Sequence, residues 1–189
     1  MKQTRKCKKN VIPVFNATEY ESNDGMLTTV WGPPLWHYLH TMSFNYPVKP
    51  TPKDKKNYRD FVLNLENVLP CGKCRKNLEG NLRKLPLLRQ HMKTRGTFSK
   101  YIFDLHELVN KMLKKKSHLT FETVRDRYEH FRSRCTQNTK KTRKKKSEKG
   151  CTEPLTGEKS KCVLHIVPRS KECETFQIDK QCEKVKIIH

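Results

Sequence analysis

Cys71 and Cys74 are the residues of this chain with the clearest reason to react. They form a C-x-x-C in Leu69-Pro70-Cys71-Gly72-Lys73-Cys74, and thiols so spaced make a dithiol/disulfide switch or half of a metal site. Upstream, Tyr58, Phe61, Val62, Leu65, Val68 and Leu69 recur at helical spacing until Pro70 interrupts the pattern. Downstream, Leu78, Leu82 and Leu85 resume it as far as Pro86. The motif therefore opens a helix, with Cys71 at its exposed N-terminus. Unpaired N–H groups and the positive end of the helix dipole favour a thiolate there. Lys73, Arg75 and Lys76 add positive charge in the same turn. Tetrahedral zinc would ask for a second close cysteine pair or a nearby histidine pair, and no other close cysteine pair exists. A thioredoxin-type motif would follow a buried strand, whereas this one follows a helix. Redox use leads, with zinc binding and purely structural cysteines as rivals.

Two further groups of residues have chemical potential. Trp31-Gly32-Pro33-Pro34-Leu35-Trp36-His37-Tyr38-Leu39-His40 puts prolines where the first turn of a helix tolerates them. Trp36 and His40 then share one face, four residues apart. Such a face is either core with a hydrogen-bonded histidine or a surface on which a planar cofactor ring stacks. On a later helix His106 and Asn110 also stand at i and i+4, flanked by core positions. Two polar side chains so placed need bonded partners, a ligand, or partial solvation; both this pair and the aromatic–histidine face stay open on local pattern alone.

The elements that must hold these groups are helical. A first helix runs from about Trp31 to near Pro47, and a loop with three prolines covers 47–53. The Tyr58–Leu69 and C-x-x-C helices follow. Residues 86–96 read as a surface connection. Phe98, Tyr101, Ile102, Leu105, Leu108, Val109, Met112 and Leu113 define a long amphipathic helix. Phe121, Val124, Tyr128 and Phe131 mark a last one, with Cys135 just past its end. Around this core, 1–26 is a polar, basic arm carrying a lone Cys7. Residues 139–149 hold seven cations and no apolar side chain, which makes a solvated linker with an anionic-surface or nucleic-acid contact as the second reading. Beyond it Cys151, Cys162, Cys173 and Cys182 lie within 150–189, a segment too short to bury much core without staples or metal. In it Val163–Val167 is β-prone, and 184–189 suggests another short strand.

Composition sets the bounds. The chain has 189 residues, 34% of them apolar, with 41 Lys and Arg against 19 Asp and Glu, a net charge of +22. Its mean hydropathy is −0.90, which fits one packed domain plus polar tails rather than a wholly globular chain. The charge draws it toward anions and says nothing of fold. No stretch reaches the ~20 apolar residues of a membrane span, and the basic N-terminus lacks the apolar core of a secretory signal. Eight cysteines in a chain that reads as unsecreted point to redox or metal use rather than a passive disulfide scaffold.

Taken in order, W-G-x-x-x-W-x-x-x-H, P-C-x-x-C and H-x-x-V-N-x-x-L-x-K resemble the flavin-dependent sulfhydryl oxidases of the Erv/ALR family, among them the compact forms carried by large DNA viruses. The likeness runs from about Trp31 to Lys115. It implies an all-α fold, a cone of four helices plus a short fifth, holding FAD at the mouth of the bundle and usually dimeric. It implies that Trp31, Gly32, Trp36 and His40 line the FAD site from the first helix, and His106, Asn110 and Lys115 from a second. Cys71 and Cys74 become the active disulfide, with no metal. The chain departs from the family pattern at Pro33, Leu69 and Glu107, which stand where an arginine, an aromatic residue and an asparagine are usual. Phe103 stands where many cellular members have a cysteine, so an extra structural disulfide is not expected.

The expected organisation is a basic arm (1–26), an oxidase domain (27–135), a basic linker (136–149) and a small cysteine-containing module (150–189). The implied activity is oxidation of protein dithiols, or of a thioredoxin-like carrier, with O₂ as acceptor and hydrogen peroxide as product. Substrate attacks Cys71, and Cys74 faces the flavin. The implied site of action is host cytoplasm or virion for a viral protein, and otherwise the mitochondrial intermembrane space. The alternative for the whole chain is a basic, zinc-braced module that binds nucleic acid or a partner.

Overall fold

The computed structural model describes residues 17–23, 25–134, 151, 153–154, 160–168, 170–171, 177 and 179. Its elements are α1 (Ala17–Tyr20), α2 (Thr28–Phe44), α3 (Pro52–Val68), α4 (Gly72–Lys84), α5 (Arg95–Met112), α6 (Phe121–Glu129), and the two-residue strands β1 (Ser133–Arg134) and β2 (Glu153–Pro154). A 3₁₀ turn spans Arg89–Met92. The fold is all-α in its body: α2, α3, α4 and α5 make a four-helix bundle, and α6 is the short fifth helix. α2 lies against α5 and α6, α3 against α4, and α4 against α5. No helix among the described residues is long and apolar enough to cross a membrane.

The helices start where capping chemistry allows. α3 begins inside the stretch read as a proline loop, because Thr51 and Asp54 cap one another's backbone and Pro52 occupies the first turn, where its missing N–H costs nothing. Thr94 and Thr97 make the same reciprocal cap for α5. α2 corrects a second expectation. It begins at Thr28, so Pro33 and Pro34 fall in its second turn rather than its first. Neither proline has an N–H to give back. The turn before them is closed instead by the N–H groups of Val30 and Trp31 on the Leu27 carbonyl, at 2.9 and 3.3 Å. The Trp31 indole adds a bond to the Met26 carbonyl at 3.0 Å.

The core runs through the bundle from Leu39, Tyr46, Val62 and Leu65 to Phe98, Tyr101, Ile102 and Leu105. Its polar tips are satisfied: Tyr46 donates to the Met92 carbonyl and Tyr101 to the Leu85 carbonyl, both at 3.0 Å. The connection 86–96 is less superficial than its composition suggests, since Leu87 and Met92 are buried in the core. Each such side chain removes enough apolar surface from water to contribute about 1.5–3 kcal/mol. Phe103, where a cysteine was expected to be missing, meets the ring of Phe121 edge-on with centroids 5.8 Å apart. Aromatic packing thus ties α5 to α6 at that position.

β1 and β2 pair antiparallel, Ser133 opposite Pro154 and Arg134 opposite Glu153. No sequence signal announced this pairing. The β-prone Val163–Val167 forms no strand and is largely exposed; Cys7, Cys135, the linker and 184–189 lie outside the described residues.

Candidate functional site

Three residues, Leu69 to Cys71, turn the chain from α3 into α4, and their backbone groups are held from several sides. Cys71 N–H donates to the Leu69 carbonyl at 2.8 Å, and the Arg75 guanidinium reaches that carbonyl too. Met26 N–H donates to the Pro70 carbonyl at 2.8 Å. Cys71 is the N-cap of α4, in extended backbone, and its sulfur accepts the N–H of Cys74 at 3.2 Å. Cys71 and Cys74 are joined in a disulfide, the pairing that the resemblance implied. Both are partly exposed, so a thiol from solvent has access. From the far side, Thr28 Oγ1 stands 3.7 Å from Cys74 Sγ.

Further along α2, Trp36 and His40 face α5. The Trp36 indole stacks on the His106 imidazole, centroids 4.0 Å apart and planes within 7°. His40 Nε2 lies 3.0 Å from His106 Nδ1, so one imidazole donates and the other accepts. His40 is only 4% exposed, and burial with the neighbouring His106 and His37 pushes its pKa down to about 3. Burial also brings His106 down to about 4, with Lys115 acting in the same sense and Glu107 against it. Both rings are therefore neutral near pH 7. His40 Nδ1 is buried without a hydrogen-bond partner, a state that costs about 1–3 kcal/mol unless something satisfies it.

The end of α5 places two more of the expected residues. Lys115 N–H donates to the Asn110 carbonyl at 2.9 Å and Lys114 N–H to the Lys111 carbonyl at 3.1 Å. Lys114 takes the left-handed φ of 56°, which completes a Schellman cap. The cap folds Lys115 back beside Asn110. Asn110 in turn donates its amide to Glu107, which also accepts the Ser117 hydroxyl, at 3.0 and 2.8 Å. Glu107, one of the departures from the family pattern, thus orients Asn110.

Gly32 is buried, yet an added Cβ would meet only Thr28 Cγ2 at 3.7 Å. Packing within the chain does not demand glycine there. Trp31, Trp36 and Cys74 each pack against the core. The structure therefore brings Trp36, His40 and His106 together, sets Asn110 and Lys115 at the end of the same α5, and puts Trp31 and Gly32 on the α2 turn nearest the disulfide.

Sequence reasoning missed His37 and Tyr128. His37 Nδ1 lies 3.2 Å from the Tyr128 hydroxyl, and the Tyr128 ring lies 5.3 Å from that of His40. Burial lowers the His37 pKa and raises that of Tyr128. Tyr128 recurs at helical spacing with Phe121 and Val124, so it looks like core, and only contact with His37 and His40 distinguishes it.

Among the described residues no group of three or more His, Cys, Asp or Glu is arranged to hold a metal. Of the tail cysteines, Cys151 is in a disulfide and Cys162 is free and exposed.

Fold and site together define a helical-bundle protein with a disulfide at one helix start and an aromatic–imidazole seam between two of its helices. The chain belongs to the Erv1 / Alr family, whose model matches residues 33–132. A probable FAD-linked sulfhydryl oxidase of Acanthamoeba polyphaga mimivirus is 38% identical over 86 residues, 46% of this chain and 60% of that protein. An FAD-linked sulfhydryl oxidase of African swine fever virus is 34% identical over 86 residues, 46% of this chain and 70% of that one. Less than two thirds of the mimiviral relative is therefore covered. The FAD-binding domain of Erv1 from Saccharomyces cerevisiae aligns in structure over 51% of this chain and 89% of that domain, at 25% identity and a TM-score of 0.47.

Proposed function

We propose that this chain is an FAD-dependent thiol oxidase that forms disulfide bonds in protein substrates and delivers the electrons to O₂. The observation that carries the reading is the Cys71–Cys74 disulfide at the start of α4, on the same bundle as a seam built from Trp36, His40 and His106. The residues of this seam fit a flavin by chemistry. They offer a flat indole–imidazole surface, two neutral rings, and a buried His40 Nδ1 that lacks a partner. A large polar heterocycle answers all three requirements. Trp31, Gly32, Trp36 and His40 from α2, with His106, Asn110 and Lys115 from α5, would hold it, flanked by His37 and Tyr128. When bound, FAD supplies the two-electron acceptor that couples the dithiol to O₂, with hydrogen peroxide as product.

The chain's own residues do the thiol chemistry. A substrate thiolate attacks Cys71 Sγ, the bond to Cys74 breaks, and Cys74 departs as a thiolate. A second substrate thiol then displaces Cys71 and leaves with a disulfide. The helix start and Lys73, Arg75 and Lys76 favour the thiolate forms, and thiolate attack needs no separate general base. We take the active form to be a homodimer whose substrates are protein dithiols or a thioredoxin-like carrier. We place it in host cytoplasm or virion if viral, and otherwise in the mitochondrial intermembrane space; its relatives include viral and mitochondrial proteins. The purified protein should be yellow, with the visible absorbance of oxidised flavin, and should consume oxygen when given dithiothreitol. A folded but colourless protein that consumes none would overturn the reading.

A further inference from the structure

We infer that Thr28 is a further catalytic residue of the Cys71–Cys74 centre, its hydroxyl donating a hydrogen bond to Cys74 Sγ and holding that sulfur as the leaving thiolate. The inference rests on the reading that this disulfide is the working one, and it does not need the flavin. Thr28 is held in place by a strap. Residues 25–28 cross the start of α4, and Met26 N–H is bonded to the Pro70 carbonyl at 2.8 Å. Gly25 lies so close that an added Cβ would stand 2.9 Å from the Pro70 oxygen and 3.0 Å from Cys71 Cα. Both are backbone atoms with no freedom to give way. Trp31 Nε1 anchors the same segment on the Met26 carbonyl at 3.0 Å. The strap so fixed ends with Thr28 Oγ1 at 3.7 Å from Cys74 Sγ.

The two sulfurs are served differently. Cys71, as N-cap, takes the N–H of Cys74, so the helix start already stabilises negative charge on Cys71. Cys74 is the third residue of α4, with its own N–H given to the Cys71 sulfur, and the hydroxyl beside its sulfur is that of Thr28. Residues 25–31 contain no ionisable side chain, and the charged groups of the first turn of α4, Lys73, Arg75 and Lys76, serve both cysteines alike. Arg75 is further engaged with the Leu69 carbonyl.

A disulfide sulfur has no proton, so in the oxidised chain the hydroxyl must be the donor. When a substrate thiolate bonds to Cys71 Sγ, the Cys71–Cys74 bond breaks and its electron pair stays on Cys74; no proton moves. The Thr28 hydrogen bond then becomes charge-assisted and strengthens. An interaction stronger after bond breaking than before accelerates the step, and a thiol of lower pKa leaves faster.

The test is a pH titration of ultraviolet thiolate absorbance in Cys71→Ser protein, where Cys74 is the free partner, with Thr28, Thr28→Val and Thr28→Ser compared. Thr28 is exposed, so none of these changes threatens the fold. Valine should raise the Cys74 midpoint by about one pH unit, the scale of one hydrogen bond to a charged group, and serine should restore it. With both cysteines present, Thr28→Val should slow reduction of the disulfide by dithiothreitol about threefold. A valine midpoint equal to that of threonine, or a serine that behaves like valine, overturns the role of Thr28. Failure of the underlying reading looks different: Cys74→Ser protein would still oxidise dithiols, whatever residue 28 is.

Discussion

Cys71 and Cys74 share one disulfide but not one environment, and single substitutions should separate their roles. Cys71→Ser and Cys74→Ser should each abolish dithiol-driven oxygen consumption while FAD stays bound, because the proposed cofactor site lies on α2 and α5. Cys71→Ser should also show a long-wavelength charge-transfer band, from the Cys74 thiolate beside the flavin, and Cys74→Ser should not. The reverse pattern would exchange the two assignments. At this scale the sequence was legible wherever chemistry is written in short spacing. The C-x-x-C, the Trp36/His40 face and the position of His106 all follow from counting along one helix. Thr28 was not legible, because its contact with Cys74 spans 46 residues and a threonine one turn before a motif is unremarked anywhere. Nothing local tells Tyr128 from the core aromatics beside it.

At the scale of elements, the seam between α2 and α5 is held by two imidazoles that stay neutral in the fold. Unfolded, each has the ordinary value of 6.5, whereas in the fold they titrate near 3 and 4. Between those limits the unfolded chain binds more protons than the folded one. Stability is therefore fully present above about pH 6.5 and is lost as pH falls toward 4 and then 3, at a slope of up to about 1.4 kcal/mol per pH unit for each histidine. Melting temperatures should fall from pH 7 to pH 5, and fall less in His40→Gln. Equal slopes in the two proteins would show that His40 is not responsible. Helical periodicity gave the bundle itself, since Val62, Leu65, Leu78, Leu82, Phe98 and Leu105 all sit where it put them. Helix starts were harder to read. α3 starts a turn and a half before its first apolar residue because Thr51 and Asp54 cap it, a signal hidden among prolines. The first turn of α2 depends on bonds to Leu27 and Met26 that no periodicity reports.

For the molecule as a whole, the question is what the basic, cysteine-bearing tail contributes. We take the oxidase domain to end near residue 135. Deleting 136–189 removes β2 and its two-residue ladder with β1, but leaves the bundle, the disulfide and every proposed flavin contact. The truncated protein should fold, bind FAD and oxidise dithiothreitol within about tenfold of the full rate, a barrier change under ~1.4 kcal/mol. Release of FAD on truncation would show instead that the tail packs on the core. Oxidation of a folded protein substrate should fall further if the tail docks or relays. Changing Cys151, Cys162, Cys173 and Cys182 together to serine separates those roles, since a relay needs thiols and a cationic docking arm does not. Tail architecture was the least legible part of the chain: charge and cysteine spacing constrain composition, and a strand pair as short as Ser133–Arg134 with Glu153–Pro154 carries no pattern of its own.

One feature of the disulfide bears on the rhythm of turnover. Cys71 caps α4 with the same sulfur that we propose meets the substrate. In the disulfide form that cap is a covalent staple across the first turn of the helix, beside the hydrogen bonds from Cys74 N–H to the Cys71 sulfur and from Arg75 N–H to the Cys71 carbonyl. In the proposed cycle the first turn of α4 is therefore cross-linked while the site waits for a thiol and loses that cross-link when the substrate leaves oxidised. Reoxidation in that cycle would do two jobs at once, restoring the oxidant and re-closing the turn that presents it.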